Sequence, residues 1–201
     1  MMLYLHGFRS SPQSYKSRLM AQAMLTRDKA DQWLCPALPA SPKAAIQQAE
    51  ALLAEHTAHT PAAQWTLIGS SLGGYYATWL AERWGTRAVL LNPVVHAVRD
   101  LATQVGVHTA YHDHSPFVFT PEHVQELAAF QVGKITRPER YYLLAAKGDE
   151  LLDWQEMVAH YPGATHRILE GSDHGLSDFA DWLPEVLAFA DPTLTPSRTG
   201  N

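Results

Sequence analysis

The apolar residues of this chain come mostly in short unbroken runs, and that pattern limits the fold more than any other feature. Met2 to Leu5, Trp33 to Pro36, Trp65 to Ile68, Ala88 to Leu91, Tyr141 to Ala146 and Arg167 to Leu169 read as strands. A strand with one wet face alternates apolar and polar residues, whereas an unbroken run belongs to a strand covered on both faces. Helical patterns lie between the runs, at Ser14 to Leu25, Lys43 to His56 and Gly73 to Trp84, where Leu72, Tyr76, Leu80 and Trp84 recur every fourth residue. Strand and helix in alternation predict an α/β fold: a mostly parallel sheet of about six strands with right-handed crossovers. At 201 residues and 46% hydrophobic content the chain suffices for one substantial core. Residues 1–190 are expected to form a single domain. The stretch 191–201, with Pro192 and Pro196 among Thr, Ser and Gly, reads as a loose tail.

Residues 95–138 break the rhythm, being more than one crossover helix requires. An insertion of this size over the carboxyl edge of a sheet serves as a lid or a substrate wall. Within it Pro121 starts a helix through Phe130, with Thr120 as its cap and Glu122 in the first turn. Tyr111, Phe117, Val118 and Phe119, with the turn from Pro36 to Pro42, either line a pocket or pack the insertion onto the sheet. His108, His112 and His114 beside Asp113 resemble a metal cluster in composition. Their spacing fits no zinc motif, so no metal is expected there.

Charge and cysteine content narrow the function classes. A net charge of −5 without a long basic run offers no surface for tracking phosphates, so nucleic acid is not an expected partner. No apolar run approaches the roughly 20 residues that span a bilayer, and membrane association is not expected either. Met1 to Leu5 is too short for a signal-peptide core and is interrupted by His6 and Gly7. The single cysteine, Cys35, excludes an intramolecular disulfide framework and reads as a small buried hydrophobe on a strand. These features together predict a cytoplasmic protein.

The chemistry points to Thr66 to Gly74, where an apolar strand runs into Gly69-Ser70-Ser71-Leu72-Gly73 and then into a helical pattern. A serine on a strained strand-to-helix turn, flanked by glycines that let backbone pass close by, is a nucleophile elbow. Ser71 is then the nucleophile, and it needs a base, an acid to orient the base and donors for an oxyanion. In the order serine, acid, histidine, the acid follows a late strand and the histidine the last one. His174, in the turn Gly171-Ser172-Asp173-His174-Gly175, is the preferred base. Asp149, directly after the strand ending at Ala146, is the preferred acid. Asp153 is its rival, with N-terminal helix charge as the alternative role, and Asp173 follows. One oxyanion donor is the backbone N–H of Leu72; the second is expected from the exit of the first strand, at Phe8 after Gly7. His6 reads as a hydrogen-bonded scaffold residue.

Taken together, Tyr4-Leu5-His6-Gly7-Phe8 with Ser10-Ser11-Pro12, the Gly69 to Gly74 elbow, Gly148-Asp149-Glu150 and Asp173-His174-Gly175 resemble the compact α/β-hydrolase esterases of the YqiA type. The resemblance covers nearly the whole chain. It implies a three-layer α/β-hydrolase fold reduced by the first strands of larger members, with a lid-like insertion. It also implies a bacterial cytosolic enzyme that cleaves ester or thioester bonds of small acyl substrates without a cofactor, with Ser71, Asp149 and His174 catalytic and Phe8 and Leu72 at the oxyanion. An acyl-CoA thioesterase or peptidase using the same residues, and a non-catalytic binding protein on the same scaffold, are the alternatives. Neither the natural substrate nor the oligomeric state follows from the sequence.

Overall fold

The computed structural model describes residues 1–191; the expected tail, beyond Asp191, lies outside them. Strands β1 (Met2–Leu5), β2 (Trp33–Leu34), β3 (Thr66–Ser70), β4 (Arg87–Leu91), β7 (Tyr141–Ala146) and β8 (Thr165–Leu169) form one sheet in the order β2-β1-β3-β4-β7-β8. All of its pairings are parallel. The six runs read from the sequence are these six strands, two with the same ends and the others displaced by at most two residues. Helices α1 (Tyr15–Leu25), α2 (Pro42–Thr57) and α3 (Leu72–Trp84) likewise occupy the predicted stretches.

Both faces of the sheet are covered, which is why its strands are apolar throughout. Side chains alternate across a strand, so Leu3, Leu5, Leu67, Leu90, Leu143 and Ala145 pack on one face with α2, α3 and α6 (Trp154–His160). Met2, Tyr4, Ile68, Val89, Leu91, Tyr142 and Leu144 face the other way, onto α1 and α7 (Phe179–Ala190). Burying each large aliphatic side chain stabilises the fold by about 1.5–3 kcal/mol, and the three layers leave no strand residue from Met2 to Leu5 or Tyr141 to Ala146 more than 1% exposed.

Residues 95–138 form α4 (Ala97–Ala102), an antiparallel hairpin of β5 (Gly106–Thr109) and β6 (Pro116–Phe119), and α5 (Pro121–Ala128). Thr120 caps α5: its hydroxyl accepts from His123 N–H, and His123 Nδ1 accepts from Thr120 N–H. The hairpin is clipped to the loop after β1. Arg9 Nε donates to Thr109 O at 2.8 Å, Tyr111 N–H donates to Arg9 O at 2.9 Å, and the Arg9 guanidinium lies 4.4 Å from the Tyr111 ring centroid. Among the described residues no helix is long and apolar enough to cross a membrane.

The strand order sets where a ligand can sit. The chain leaves β1 towards β2 at one edge and leaves β3 towards β4 on the other side. The carboxyl ends of β1 and β3 therefore flank a topological switch point, where the crossovers diverge and open a crevice.

Candidate active site

Ser71 follows β3 directly and sits at the switch point with φ 54° and ψ −121°. A non-glycine residue held there costs about 1–3 kcal/mol, which the surrounding contacts must offset. Ser71 N–H donates to Leu91 O at 3.0 Å, and Ser71 O accepts from Gly74 N–H and Val94 N–H. The turn closes only because its flanks carry no side chain. A Cβ on Gly69 would lie 2.2 Å from Gly73 O, and one on Gly73 would lie 1.9 Å from Leu5 O. The first contact folds β3 back against α3, and the second seats α3 on the end of β1.

His174 and Asp149 reach Ser71 from the ends of β8 and β7. His174 Nε2 is 3.0 Å from Ser71 Oγ, and His174 Nδ1 is 2.8 Å from Asp149 Oδ2. The Asp149 side chain is fully buried. Its Oδ1 accepts from Leu151 N–H and Leu152 N–H, both at 2.9 Å, which fixes the carboxylate and leaves Oδ2 for the imidazole. That pairing requires the tautomer with a proton on Nδ1 and a lone pair on Nε2, aimed at the serine hydroxyl.

The other acids take different places. Asp153 caps α6, accepting from Gln155 N–H at 2.8 Å, which is the helix-terminal role weighed against catalysis. Asp173 Oδ1 accepts from Ser177 N–H and holds the turn after β8. His6 is 4% exposed and bridges backbone: Nδ1 is 3.0 Å from Gly7 O, and Nε2 accepts from Leu38 N–H at 2.9 Å. Burial lowers its pKa, so it stays a neutral strut.

Gly7 packs directly on Ser71, since a Cβ there would lie 3.1 Å from Ser71 Cβ. The next peptide carries the N–H of Phe8, and the first helical N–H beyond Ser71 is that of Leu72. Neither donates to an acceptor among the described residues, and both residues line the cleft that holds Ser71 and His174. The Phe8 ring is boxed edge-on by Phe117 and Phe119, each at 5.1 Å, and by His108 at 5.7 Å.

The cleft has a volume of about 640 Å³. Leu72, Val94, Leu101, Leu151 and Leu152 give it apolar wall, and Tyr111 closes one side. Phe117 and Phe119 instead pack the hairpin onto Phe8, and the turn at Leu38 to Ala40 borders a separate small recess. His108 turns to Gln104 O, and no three His, Cys, Asp or Glu among the described residues gather as a metal-ligand set. Cys35 lies just past β2, half-buried, with its thiol pushed up to about 11 by burial.

Three residues of the site escape sequence reasoning. Asn92, fully buried after β4 with φ 42°, accepts from Ala146 N–H at 2.8 Å and donates to Asp173 O and His174 O at 3.0 and 3.2 Å. It thereby ties the end of β7 to the histidine turn. Glu150 accepts from His174 N–H at 2.9 Å. Lys16 Nζ donates to Gly175 O at 2.5 Å. The Asn-Pro pair after β4 is a turn signal that could have drawn attention to Asn92; nothing local marks Lys16 or Glu150.

A family profile described as an uncharacterised protein family, UPF0227, matches residues 1–191. Among solved structures, Est1E from Butyrivibrio proteoclasticus with ferulic acid bound superposes with a TM-score of 0.70 at 13% identity, covering 96% of this chain and 87% of that one. A structure from work on LipS and LipT, two metagenome-derived lipolytic enzymes, gives 0.68 at 17% identity over 94% and 92%. Mouse alpha/beta hydrolase domain-containing protein 10 gives 0.66 at 16% over 93% and 86%. These likenesses establish the three-layer α/β-hydrolase fold; a substrate has to be argued from the site.

Proposed function

Because this chain belongs to UPF0227, the YqiA-like family, we propose that it is a serine hydrolase that cleaves carboxylic ester or thioester bonds of small acyl substrates. The observation that carries this reading is the continuous line from buried Asp149 through His174 to the strained Ser71, with contacts of 2.8 and 3.0 Å. A hydroxyl at that position is a nucleophile only if something takes its proton in the transition state, and Nε2 is within reach to do so.

His174 Nε2 takes the proton of Ser71 Oγ as the oxygen attacks the acyl carbonyl. The N–H groups of Leu72 and Phe8 receive the charge that develops on the carbonyl oxygen. Asp149 stabilises the imidazolium that forms and keeps the ring oriented. The tetrahedral adduct collapses, the leaving alcohol or thiol takes the proton from His174, and an acyl group remains on Ser71. Water, deprotonated by the same Nε2, then releases the acid and restores the serine. Preorganised backbone donors of this kind contribute on the order of a hundredfold or more each.

The cleft of about 640 Å³ and its apolar wall suit a short or medium acyl group. No step calls on a metal or organic cofactor, and the lone cysteine is consistent with a reducing, cytoplasmic setting. The test is intact-mass detection of covalent labelling by a fluorophosphonate on the parent, Ser71→Ala and His174→Ala proteins. Labelling of the parent alone is expected. An unlabelled, correctly folded parent would refute the proposal.

A further inference from the structure

Lys16 lines the same cleft as Ser71, and acyl transfer gives it no task. It lies in the first turn of α1 and is 8% exposed. An ammonium carries three N–H donors, yet the hydrogen bond found for it here is the one to Gly175 O. Among the described residues no carboxylate forms an ion pair with it. The acids whose charge reaches it are Asp173 and Asp149, and both are committed elsewhere: Asp173 to Ser177 N–H, Asp149 to His174, Leu151 and Leu152.

Arg99 on the same wall makes the contrast. Its guanidinium is paired with Glu156 at 2.8 and 2.6 Å and with Asp100 at 2.7 Å. Lys16 has no such counter-charge, and burial accordingly lowers its pKa to about 8, a fall that Asp173 and Asp149 only partly oppose. Ser14 does not fill that need: its hydroxyl is buried against the Tyr4 phenol and makes no N-cap bond to α1. Buried polar groups are normally satisfied, and a buried charge is normally paired. A buried cation short of partners, on the wall of a reaction cleft, is complementary to an anionic ligand.

Resting on the hydrolase reading above, we propose that Lys16 forms a subsite for a carboxylate carried by the substrate, so that the esters or thioesters cleaved best bear a negative charge near the scissile carbonyl. The carboxylate accepts from the ammonium, supplying the anion that the fold withholds. It can belong to the acyl part or to the leaving group, and paired substrates separate the two.

The full chain is assayed by proton release at pH 7. Monomethyl succinate, glutarate and adipate are compared with their dimethyl diesters for charge on the acyl side. O-acetylglycolate is compared with its methyl ester for charge on the leaving group. In one of the two series the anion is expected to show at least a tenfold higher kcat/KM, mainly through KM. Lys16→Met should abolish that ratio. A ratio of two substrates on one protein cancels any general disturbance of His174. If Lys16→Met lowered both rates and left the ratio intact, the lysine would be a tether for Gly175 and the subsite would be refuted. A parent that prefers the neutral ester in both series overturns it without any variant. Fluorophosphonate labelling of Ser71 separates the two readings: labelling without a charge preference removes the subsite alone, and absence of labelling removes the hydrolase reading and the subsite with it.

Discussion

Replacing Asn92 by Asp alters the shape of the site hardly at all and reverses one polarity inside it. The retained oxygen can still accept from Ala146 N–H, but the amide that donated to Asp173 O and His174 O becomes a second oxygen facing two carbonyls. With the position 0% exposed, the introduced carboxyl is more stable protonated, when its O–H can restore one of the two donated bonds. Holding it protonated at pH 7 against an unfolded-state pKa of roughly 3.9 costs about 4 kcal/mol, from 1.36 kcal/mol per pH unit. The bond not restored adds about 1 kcal/mol. At pH 5 the first cost falls to about 1.5 kcal/mol. A carboxyl whose pKa is raised by folding favours the folded state in acid and loses that contribution as pH rises through the folded value. Asn92→Asp should therefore be destabilised by about 5 kcal/mol at pH 7 and about 2.5 kcal/mol at pH 5, relative to the parent at each pH. Urea unfolding followed by tryptophan fluorescence measures both differences, with the parent's own pH dependence cancelled. Equal destabilisation at the two pH values, within about 0.5 kcal/mol, would refute the reasoning that this amide acts as a buried donor to the histidine turn.

Other perturbations separate the parts of the site. Asp149→Asn keeps an acceptor for Leu151 and Leu152 but disturbs the imidazole tautomer, so ester turnover should fall on the order of a thousandfold or more with little change in thermal midpoint; Asp153→Asn should leave turnover within about twofold, since that side chain only caps α6. Gly73→Ala places a methyl group 1.9 Å from Leu5 O and should yield little soluble folded protein, read by circular dichroism and size-exclusion chromatography. For Lys16, burial sets the pKa below its ordinary value, at about 8, so the ammonium is lost as pH rises through that value. The preference for anionic over neutral esters, measured as a ratio of kcat/KM from pH 6.5 to 9.5, should be full at the acid end and decline above pH 8.

Legibility in the sequence followed how local each signal is. Unbroken apolar runs such as Tyr141 to Ala146 are made by burial on both faces, so six strands could be read off directly. Their order, with β1 between β2 and β3, rests on crossover geometry that no single run encodes. The elbow was legible because close backbone approach demands glycine at 69 and 73, and the places of Asp149 and His174 followed from the ends of β7 and β8. The hairpin of β5 and β6 was not, since Val107 and Val118 are exposed and its histidines drew the eye to metal chemistry. The bonds of Asn92, Glu150 and Lys16 join residues from 24 to 159 positions apart, as Lys16 to Gly175 and His174 to Glu150 illustrate. Such contacts exist only once the sheet has brought loop ends together.

The clip between the hairpin and the loop after β1 makes the hairpin and the proposed oxyanion donor, the Phe8 N–H, a single mechanical part. Arg9 grips Thr109 and Tyr111 from the residue next to Phe8, whose ring is wedged between Phe117 and Phe119. Swinging the hairpin outward would drag the Phe8 peptide away from Ser71, so under the proposed mechanism an opened hairpin would lack its second oxyanion donor. Leu151, 67% exposed and lining the same cleft, marks an approach to Ser71 that would leave this clip in place.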